Sequence, residues 1–311
     1  MAENNPLVTV SMITYNHEKF IGKAIESILV QKTNFNFEYL IGDDCSTDNT
    51  PSICARYKEE NPSIIKLRLG EKNIGFQSNF IENIYNAKGK YIAYLEGDDY
   101  WIDKNKLQKQ FDFMEAHPEV AFCYTNTYLF NDGNEEEVEV VIKKKPTQKV
   151  FDFDYYVKED FPLIPTLTLF IRKDAFPDPV PEWLNSTFNF DWALNILLFQ
   201  KGKAAYIDEI TAMYRIHEGG VITSTYFPKV AFNGIKLAKN IDKYLNYKYH
   251  NVFGKSQWRY HNIVIYYFEK KMFLKGFYWL LFCFFRNPII FTTNTFFFKT
   301  LYNVIFKGHK T

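Results

Sequence analysis

With 311 residues, 47% of them hydrophobic and 23% charged, the chain has the composition of a globular protein, which excludes disorder over most of its length. Its formal net charge of +1 is the sum of two unlike parts: residues 226–311 carry 14 Lys and Arg against two acids, a local charge of +12, which leaves −11 for residues 1–225. An asymmetry of this size predicts two parts with different partners.

Strand and helix patterns alternate over the first 130 residues. The β-branched apolar run Leu7–Thr14 predicts a buried strand, and apolar spacing predicts a helix over Phe20–Val30. Thr50 is predicted as the N-cap of the next helix, with Pro51 at its first position. Further strands are predicted at Glu38–Gly42, Ile64–Leu69, Lys90–Leu95 and Val120–Phe130, and further helices at Gln77–Ala87 and Lys104–Ala116. This alternation predicts a mostly parallel sheet with helices on both faces.

The second half of the chain is less regular. Asn131–Pro146 is strongly charged, which indicates a solvated loop or an edge hairpin. An amphipathic helix is predicted over Asp191–Phe199 and a strand over Ala204–Tyr214. After these, helices rich in Lys and aromatic residues are expected. We therefore predict two domains, an α/β domain over residues 1–225 and a helical extension over residues 226–311.

Polar and acidic clusters follow three of the predicted strands. They are Thr14, Tyr15 and Asn16 after the first strand, Asp43 and Asp44 after the second, and Glu96, Asp98 and Asp99 after the fourth. In a parallel sheet these strand ends meet at one edge, where such sheets bind ligands. A lone Asp pair is usually a turn or a helix cap. Two pairs at equivalent strand ends repel unless something compensates them, and a hard divalent cation with substrate phosphates is the natural compensation.

Four segments together carry a family resemblance. In chain order they are VSMITYN, DDCSTDNT, EKNIGFQSNF and AKGKYIAYLEGDDYW. This series resembles the family 2 glycosyltransferases of the GT-A fold, over roughly residues 6–225. The resemblance implies a Rossmann-like mixed sheet and an inverting enzyme that takes a nucleotide-diphosphate sugar, with a UDP-sugar expected, and uses Mn²⁺ or Mg²⁺.

The resemblance also implies roles for individual residues. Those expected to bind the nucleotide sugar are Thr14, Tyr15, Asn16, Asp43, Asp44, Asn73, Gly75, Glu96 and Gly97. Asp98 stands at the family's D-x-D metal motif and would hold the cation that bridges the two phosphates. Two departures from the family bear on metal affinity and nucleotide choice: Glu96 replaces the usual first Asp, and Cys45 stands where Gly is commonest.

The segment FNFDWALNILLFQKGKAAYIDEITAMYRIHEGG resembles the second half of the same catalytic domain. It implies that Asp191 is the catalytic base, although no acid precedes it to complete the family's usual doublet; the alternative is a helix N-terminal acid favoured by the dipole. His217 resembles a position near the metal and diphosphate, and a structural histidine is equally open. Arg215 is either part of this site or an ion-pair residue of the core. Trp101 and Trp192 either shape an acceptor pocket or pack.

The basic C-terminal part does not match the family motifs. Lys270, Lys271, Lys275 and Arg286 flank an aromatic block at residues 277–285, and a basic face beside an aromatic face is typical of a helix in a membrane interface. Packing on the catalytic domain or homodimerisation is the alternative. A true span is disfavoured because the apolar runs are shorter than the roughly 20 residues that a bilayer requires.

Location and function follow from these features together. The first residues show no secretory signal, and four scattered cysteines indicate a reduced, cytoplasmic protein. We expect an enzyme held peripherally at the inner face of the cell membrane. It would transfer a sugar to a saccharide or lipid-linked saccharide in cell-surface polysaccharide or glycolipid assembly, and would not bind nucleic acid.

Two other functions stay open. A non-catalytic sugar-nucleotide-binding or scaffold protein is compatible with the altered Glu96 and the missing acidic doublet. A nucleotidyltransferase also pairs a parallel sheet with metal-binding carboxylates. It is disfavoured because TYNHEKF, and not a Gly-rich loop with Lys or Arg, follows the first strand.

Overall fold

A computed structural model describes residues 6–220, 227–253, 258–286 and 295–307. The described residues form two compact units. The first, which we call the sheet unit, consists of residues up to 185 together with 194–220, and the second, the helical unit, consists of residues 186–193 together with those after 226.

One mixed sheet organises the sheet unit. Its ten strands among the described residues are β1 Val8–Thr14, β2 Phe37–Asp43, β3 Ile65–Leu69, β4 Tyr91–Glu96, β5 Tyr100–Trp101, β6 Val120–Asn131, β7 Val138–Val140, β8 Val150–Phe151, β9 Phe170–Arg172 and β10 Lys203–Ile216. Their order is β3-β2-β1-β4-β9-β6-β10-β5, with β7 beside β6 and β8 beside β10. The neighbours β3, β2, β1 and β4 pair in parallel, as do β6 and β10, whereas β9 is antiparallel to both of its neighbours. The prediction of a mixed, mostly parallel sheet is confirmed.

Strand β1 lies at the centre of the parallel part. All seven of its residues are buried, as expected of a β-branched run covered on both faces of a sheet. It pairs with β2 from Val8 opposite Phe37 to Thr14 opposite Asp43, and with β4 on its other side. The carboxyl ends of three strands are therefore fixed next to one another.

Helices connect the parallel strands. They are α1 Ile21–Leu29, α2 Thr50–Glu60, α3 Phe76–Asn86 and α4 Lys106–Ala116, followed by α5 Phe153–Lys158 and α6 Phe190–Phe199. The predicted N-cap of α2 is wrong by one residue, since Asn49 is the cap and Thr50 is already helical. The Thr50 hydroxyl does not cap the helix; it accepts a hydrogen bond from the backbone N–H of His17 at 2.8 Å.

The charged excursion after β6 forms an edge hairpin, because β7 pairs antiparallel with the end of β6. Helix α6 was expected to be amphipathic, but from Ala193 to Phe199 every residue is buried. Its sequence is almost wholly apolar in this part, so the helix is covered on more than one side.

The helical unit contains the C-terminal helices expected from the sequence. They are α7 Phe227–Tyr244, α8 His250–Phe253, α9 Trp258–Glu269, α10 Phe273–Arg286 and α11 Thr295–Tyr302, with a π-helical turn at Asn303–Lys307. Helices α9 and α10 pack closely at Gly276, where an added Cβ would lie 2.8 Å from the Phe268 ring. In the part of the chain that the structure describes, no helix is both long and apolar enough to cross a membrane.

Candidate active site

The three predicted polar clusters meet at one rim of the sheet. Thr14 is paired with Asp43, and the backbone N–H of Asp44 donates to the Thr14 carbonyl at 2.9 Å. On the other side of β1, the N–H of Gly97 donates to the Ile13 carbonyl at 2.9 Å. The predicted convergence of strand ends is confirmed, because residues some 30 and 80 positions apart are joined directly by backbone hydrogen bonds.

Asp44 holds the loop before α3. Its Oδ1 accepts from the backbone N–H of Ile74 at 2.8 Å and its Oδ2 from that of Gly75 at 2.9 Å, and the residue is 3% exposed. Gly75 has φ +85°, a conformation that side chains rarely adopt, which explains glycine at this position. Asp44 and Gly75, both predicted to bind the nucleotide, thus shape the loop that would lie over it.

The Asp43 side chain stabilises a turn at residues 43–46. The backbone N–H and the hydroxyl of Ser46 donate to its two carboxylate oxygens at 2.9 and 2.5 Å, and the same hydroxyl accepts from the N–H of Asn16 at 2.9 Å. Within this turn Cys45 has φ +61°, in the left-handed region that favours glycine, which is a physical reason why glycine is common there. Asn16 has φ +56°, which asparagine tolerates better than most residues.

The predicted nucleotide-binding set is divided by exposure. Tyr15 is 41% exposed, and Asn16 and Asn73 are also exposed, whereas Thr14, Asp43 and Asp44 are buried. The exposed residues offer an aromatic face and side-chain amides to a ligand at the rim. The buried residues act on that surface through the loops that they hold, and their direct contact with a nucleotide stays a prediction.

Asp98 faces two histidines from other parts of the rim. Its Oδ2 lies 3.1 Å from Nε2 of His217 and 3.7 Å from Nε2 of His17, and its side chain is 20% exposed. Burial by itself would raise the pKa of Asp98, but the two imidazoles outweigh it and hold the pKa below its usual value. Asp98 is therefore a carboxylate at neutral pH, as a cation ligand must be.

Asp99 differs from its neighbour. It is 2% exposed, and its Oδ1 accepts from the backbone N–H of Arg215 at 2.8 Å. Burial, together with the charges of Asp98 and Glu96, raises the pKa of Asp99 well above its usual value. The two consecutive aspartates thus have opposite pKa shifts, and Asp98 is the better metal-ligand candidate.

Arg215 connects the turn at residues 96–99 to the buried core of the sheet unit. Its Nε donates to the Asp98 carbonyl at 3.0 Å and its Nη1 to Asp132 at 2.6 Å, while its guanidinium lies 4.6 and 4.7 Å from the ring centres of Phe20 and Phe130. The residue is 7% exposed. Arg215 therefore forms the ion pair that one interpretation expected, and it also contacts the turn that carries Asp98.

His17 is the site residue that the sequence interpretation missed. Its Nδ1 lies 3.2 Å from the Thr14 hydroxyl, and its ring packs edge-on to that of His217. Gly97 makes this approach possible, since an added Cβ would lie 2.7 Å from the Thr14 hydroxyl oxygen and 3.0 Å from Nδ1. The available signal was its place in TYNHEKF, three residues after a strand that ends at the predicted site.

Trp101 belongs to the sheet unit, whereas Asp191 and Trp192 belong to the helical unit. Trp101 is 4% exposed and its Nε1–H donates to the Leu167 carbonyl at 2.9 Å, so it packs in the core and does not line a pocket. Asp191 is the second residue of α6 and belongs to the helical unit, as does Trp192, whose ring is 5.9 Å from that of Phe253. Asp191 is in the first helical turn, where the helix dipole favours an anion, and its role as base stays a prediction.

The side chains around Asp98 could supply some of the ligands of a divalent cation, and a bound diphosphate would have to supply others. Among the described residues, no three His, Cys, Asp or Glu side chains are placed to hold a metal ion by themselves. Asp98 and His217 supply one carboxylate and one imidazole, and a donor diphosphate would supply oxygen ligands. Carboxylate suits both predicted ions, whereas imidazole suits Mn²⁺ better than Mg²⁺.

Comparison with known proteins gives the family to which this chain belongs. The sequence model for "Glycosyl transferase family 2" matches residues 9–175, which is more than half of the chain. The chain belongs to glycosyltransferase family 2. The predicted fold class, a GT-A sheet followed by C-terminal helices, is confirmed by solved structures of the same type.

Three similar proteins show how far the likeness extends in sequence and in structure. An uncharacterized protein of Mycobacterium tuberculosis is 31% identical over 226 residues, 72% of this chain and 63% of the relative, so the chain spans less than two thirds of that protein's length. The UDP-Glc:alpha-D-GlcNAc-diphosphoundecaprenol beta-1,3-glucosyltransferase WfaP of Escherichia coli is 28% identical, covering 71% of this chain and 81% of its own. The mannosyltransferase PcManGT of Pyrobaculum calidifontis, solved with GDP-Man and Mn²⁺, superposes with a TM-score of 0.56 at 14% identity, covering 99% of this chain and 89% of its own. At that identity the superposition shows the fold.

Proposed function

We propose that the protein is an inverting glycosyltransferase that moves a sugar from a nucleotide-diphosphate donor, most readily a UDP-sugar, to an acceptor hydroxyl in cell-surface polysaccharide or glycolipid assembly. The observation that carries the proposal is the rim at which Asp98, His17 and His217 converge beside the exposed Tyr15. Membership of family 2 supports the reaction class. The name of the Escherichia coli relative supports both a UDP-sugar as the donor and a lipid-linked acceptor.

Different residues of the chain would bind different parts of the donor. Tyr15 and the loop held by Asp44 would contact the base and ribose. Asp98 and His217 would hold Mn²⁺ or Mg²⁺, which supplies positive charge against the diphosphate oxygens. Arg215 would keep the Asp98 backbone in place, because it bonds the Asp98 carbonyl and is itself fixed by Asp132.

The proposed chemistry is one displacement at the anomeric carbon. The acceptor oxygen forms a bond to that carbon as the bond to the diphosphate breaks, and the Asp191 carboxylate takes the hydroxyl proton. The nucleoside diphosphate leaves with the bonding electrons. Positioning and electrostatics account for most of the acceleration, and no covalent enzyme intermediate is required.

A donor screen tests the proposal first. UDP-, GDP- and dTDP-sugars are added with and without Mn²⁺, and the unfolding temperature is followed. A donor at 100 times its Kd stabilises the folded state by about 2.7 kcal/mol. We expect stabilisation by a UDP-sugar that increases with Mn²⁺, and nucleoside diphosphate release on adding an acceptor. Binding without any release, with or without acceptor, would favour the scaffold alternative.

The base is tested by Asp191→Asn. We expect donor binding to be unchanged and transfer to fall by a factor of about 10² to 10⁴, the usual size of general-base catalysis. Asp154→Asn is the matched control, since Asp154 also lies in the first turn of a helix, α5. Full turnover by the Asp191 variant would refute the base assignment.

We also propose that helix α10 rests on an anionic membrane surface. Leu274, Phe277, Tyr278, Leu281 and Phe285 recur at helical spacing along one face and are each more than half exposed, with Leu274 at 89% and Phe285 at 78%. The opposite face packs inward through residues 276, 279, 280 and 283. An exposed face of this kind is typical of an interaction surface.

Charge indicates a lipid surface as the partner. Lys270 and Lys271 are exposed immediately before α10, and the C-terminal part carries +12. Bases near an anionic leaflet contribute roughly 1 kcal/mol each, and the aromatic face of α10 suits the interface. An enzyme placed in this way would reach an acceptor carried on a membrane lipid.

Vesicle sedimentation tests the membrane proposal. We expect binding to vesicles that contain phosphatidylglycerol, weak binding to pure phosphatidylcholine, and loss of binding in Leu274→Glu/Leu281→Glu. The control is Leu69→Glu/Leu163→Glu, which changes two leucines of the sheet unit that are also more than half exposed. Absence of vesicle binding, with a dimer in light scattering that the α10 variant loses, would assign this face to a second copy of the chain.

A further inference from the structure

We propose that His17 is a positioning residue that holds the Asp98 carboxylate in place for the cation. The inference rests on the proposed function, because it concerns the same cation. It assigns to His17 a role that differs from ligation, and it predicts a graded effect on metal affinity.

His17 is fixed from several directions. Its backbone N–H donates to the Thr50 hydroxyl at 2.8 Å, and its carbonyl accepts from the N–H groups of Phe20 and Ile21, both at 2.8 Å. The imidazole side chain is 17% exposed, and Gly97 leaves the space in which it lies against Thr14. An imidazole held at both its backbone and its ring has little freedom to follow a ligand.

Asp98 and Thr14 together select the tautomer of the ring. Nε2 of His17 lies 3.7 Å from Oδ2 of Asp98, and a carboxylate oxygen can only accept, so a neutral ring is stabilised with its proton on Nε2. Nδ1 is then the acceptor of the hydrogen bond with the buried Thr14 hydroxyl, at 3.2 Å.

His17 and His217 cannot serve Asp98 in the same way once a cation is present. His217 Nε2 lies 3.1 Å from Oδ2 of Asp98, a hydrogen-bond distance. Ligation uses the lone pair of Nε2 on a neutral ring, so His217 cannot ligate through Nε2 and donate from it at once. His17 keeps its proton on the side of Asp98 in both states, and it is the imidazole that can still orient the carboxylate.

The distances place His17 in this supporting role. Its Nε2 is farther from Asp98 than that of His217, and its other nitrogen is already engaged by Thr14. Partners that orient a metal ligand in this way usually contribute a factor of about 10 to 100 to metal affinity.

The test is a Mn²⁺ titration of the protein saturated with UDP, with free Mn²⁺ measured by electron paramagnetic resonance. We expect Asp98→Ala to abolish the site, His17→Ala to weaken Mn²⁺ binding by a factor of about 10 or more, and His17→Gln, which keeps a side-chain N–H donor, to recover part of the loss. His117→Ala is the matched control, because this partly buried histidine of the same unit bonds the Phe113 carbonyl and should leave Mn²⁺ affinity unchanged.

Each outcome has a separate meaning. Unchanged affinity in His17→Ala would overturn the inference while leaving the metal site intact. A loss as complete as that of Asp98→Ala, without recovery in His17→Gln, would also overturn it and make His17 a ligand. Equal Mn²⁺ binding by the wild-type protein and Asp98→Ala would instead contradict the proposed cation site. UDP affinity without metal, together with the unfolding temperature, confirms that each variant is folded.

Discussion

Lys106 should make the stability of the protein depend on pH in an unusual direction. It lies in the first turn of α4 with no exposed surface, and its Nζ donates to Gln110 at 2.6 Å and lies 4.1 Å from the ring centre of Trp101. Burial lowers the pKa of Lys106 from 10.5 to about 7, against smaller opposing effects of Cys123 and Asp103. In the unfolded chain the same amine regains its ordinary pKa.

The direction of this pH dependence follows from the number of protons that the folded and the unfolded state bind. Between pH 7 and 10.5 the unfolded chain holds a proton on Lys106 that the folded protein has released, so the free energy of unfolding rises with pH across this window. The slope approaches about 1.4 kcal/mol per pH unit, which gives a rise of about 3 kcal/mol between pH 7 and 9.5. Below pH 7 both states bind the proton and the dependence disappears.

Urea unfolding at several pH values, for the wild type and Lys106→Met, measures this contribution. The difference between the two unfolding free energies should change by about 3 kcal/mol over that range, since methionine does not titrate. Lys109→Met is the control: Lys109 pairs with Glu209 and Asp103, which raise its pKa, so its contribution is lost only above pH 10.5. Parallel curves for the wild type and Lys106→Met would refute the reasoning.

Two further predictions concern the rim. Gly75→Ala should destabilise the protein by about 1 to 3 kcal/mol and weaken UDP binding, because alanine cannot easily hold φ +85° while its N–H bonds Asp44; calorimetry that shows unchanged UDP affinity would contradict this. Ser46→Ala should lower the free energy of unfolding, measured in urea, by about 2 kcal/mol, because it removes a hydroxyl donor from the buried Asp43 carboxylate. The control is Thr47→Ala, which should have little effect because the Thr47 hydroxyl makes only an exposed contact of 3.3 Å.

The parallel part of the fold could be predicted because its signals are periodic and long. The run Val8–Thr14 is buried along its whole length, and β1, β2 and β3 are each followed by a helix. Parallel topology then brings the ends of β1, β2 and β4 to one rim whatever their separation in sequence. For this reason the sequence alone was enough to place Asp43 and Glu96 at one rim of the sheet.

Other features of the fold and of the candidate site could not be predicted from the local sequence. Strand β9 has three residues and lies antiparallel between β4 and β6, which nothing in its short sequence specifies. Lys106 belongs to a charged helical segment typical of a solvated face, yet tertiary packing buries it against Trp101. His17 depends on a gap that Gly97 leaves 80 residues later, a relation that exists only once β1 and β4 have paired.

The binding of UDP to the wild type and to Asp98→Ala, each titrated calorimetrically with and without Mn²⁺, tests the central claim most directly. Asp112→Ala, which removes an exposed carboxylate of α4, is the control. We predict that Mn²⁺ strengthens UDP binding to the wild type and to the control but not to Asp98→Ala. Equal strengthening by Mn²⁺ in all three proteins would contradict the assignment of Asp98 as the residue that holds the cation.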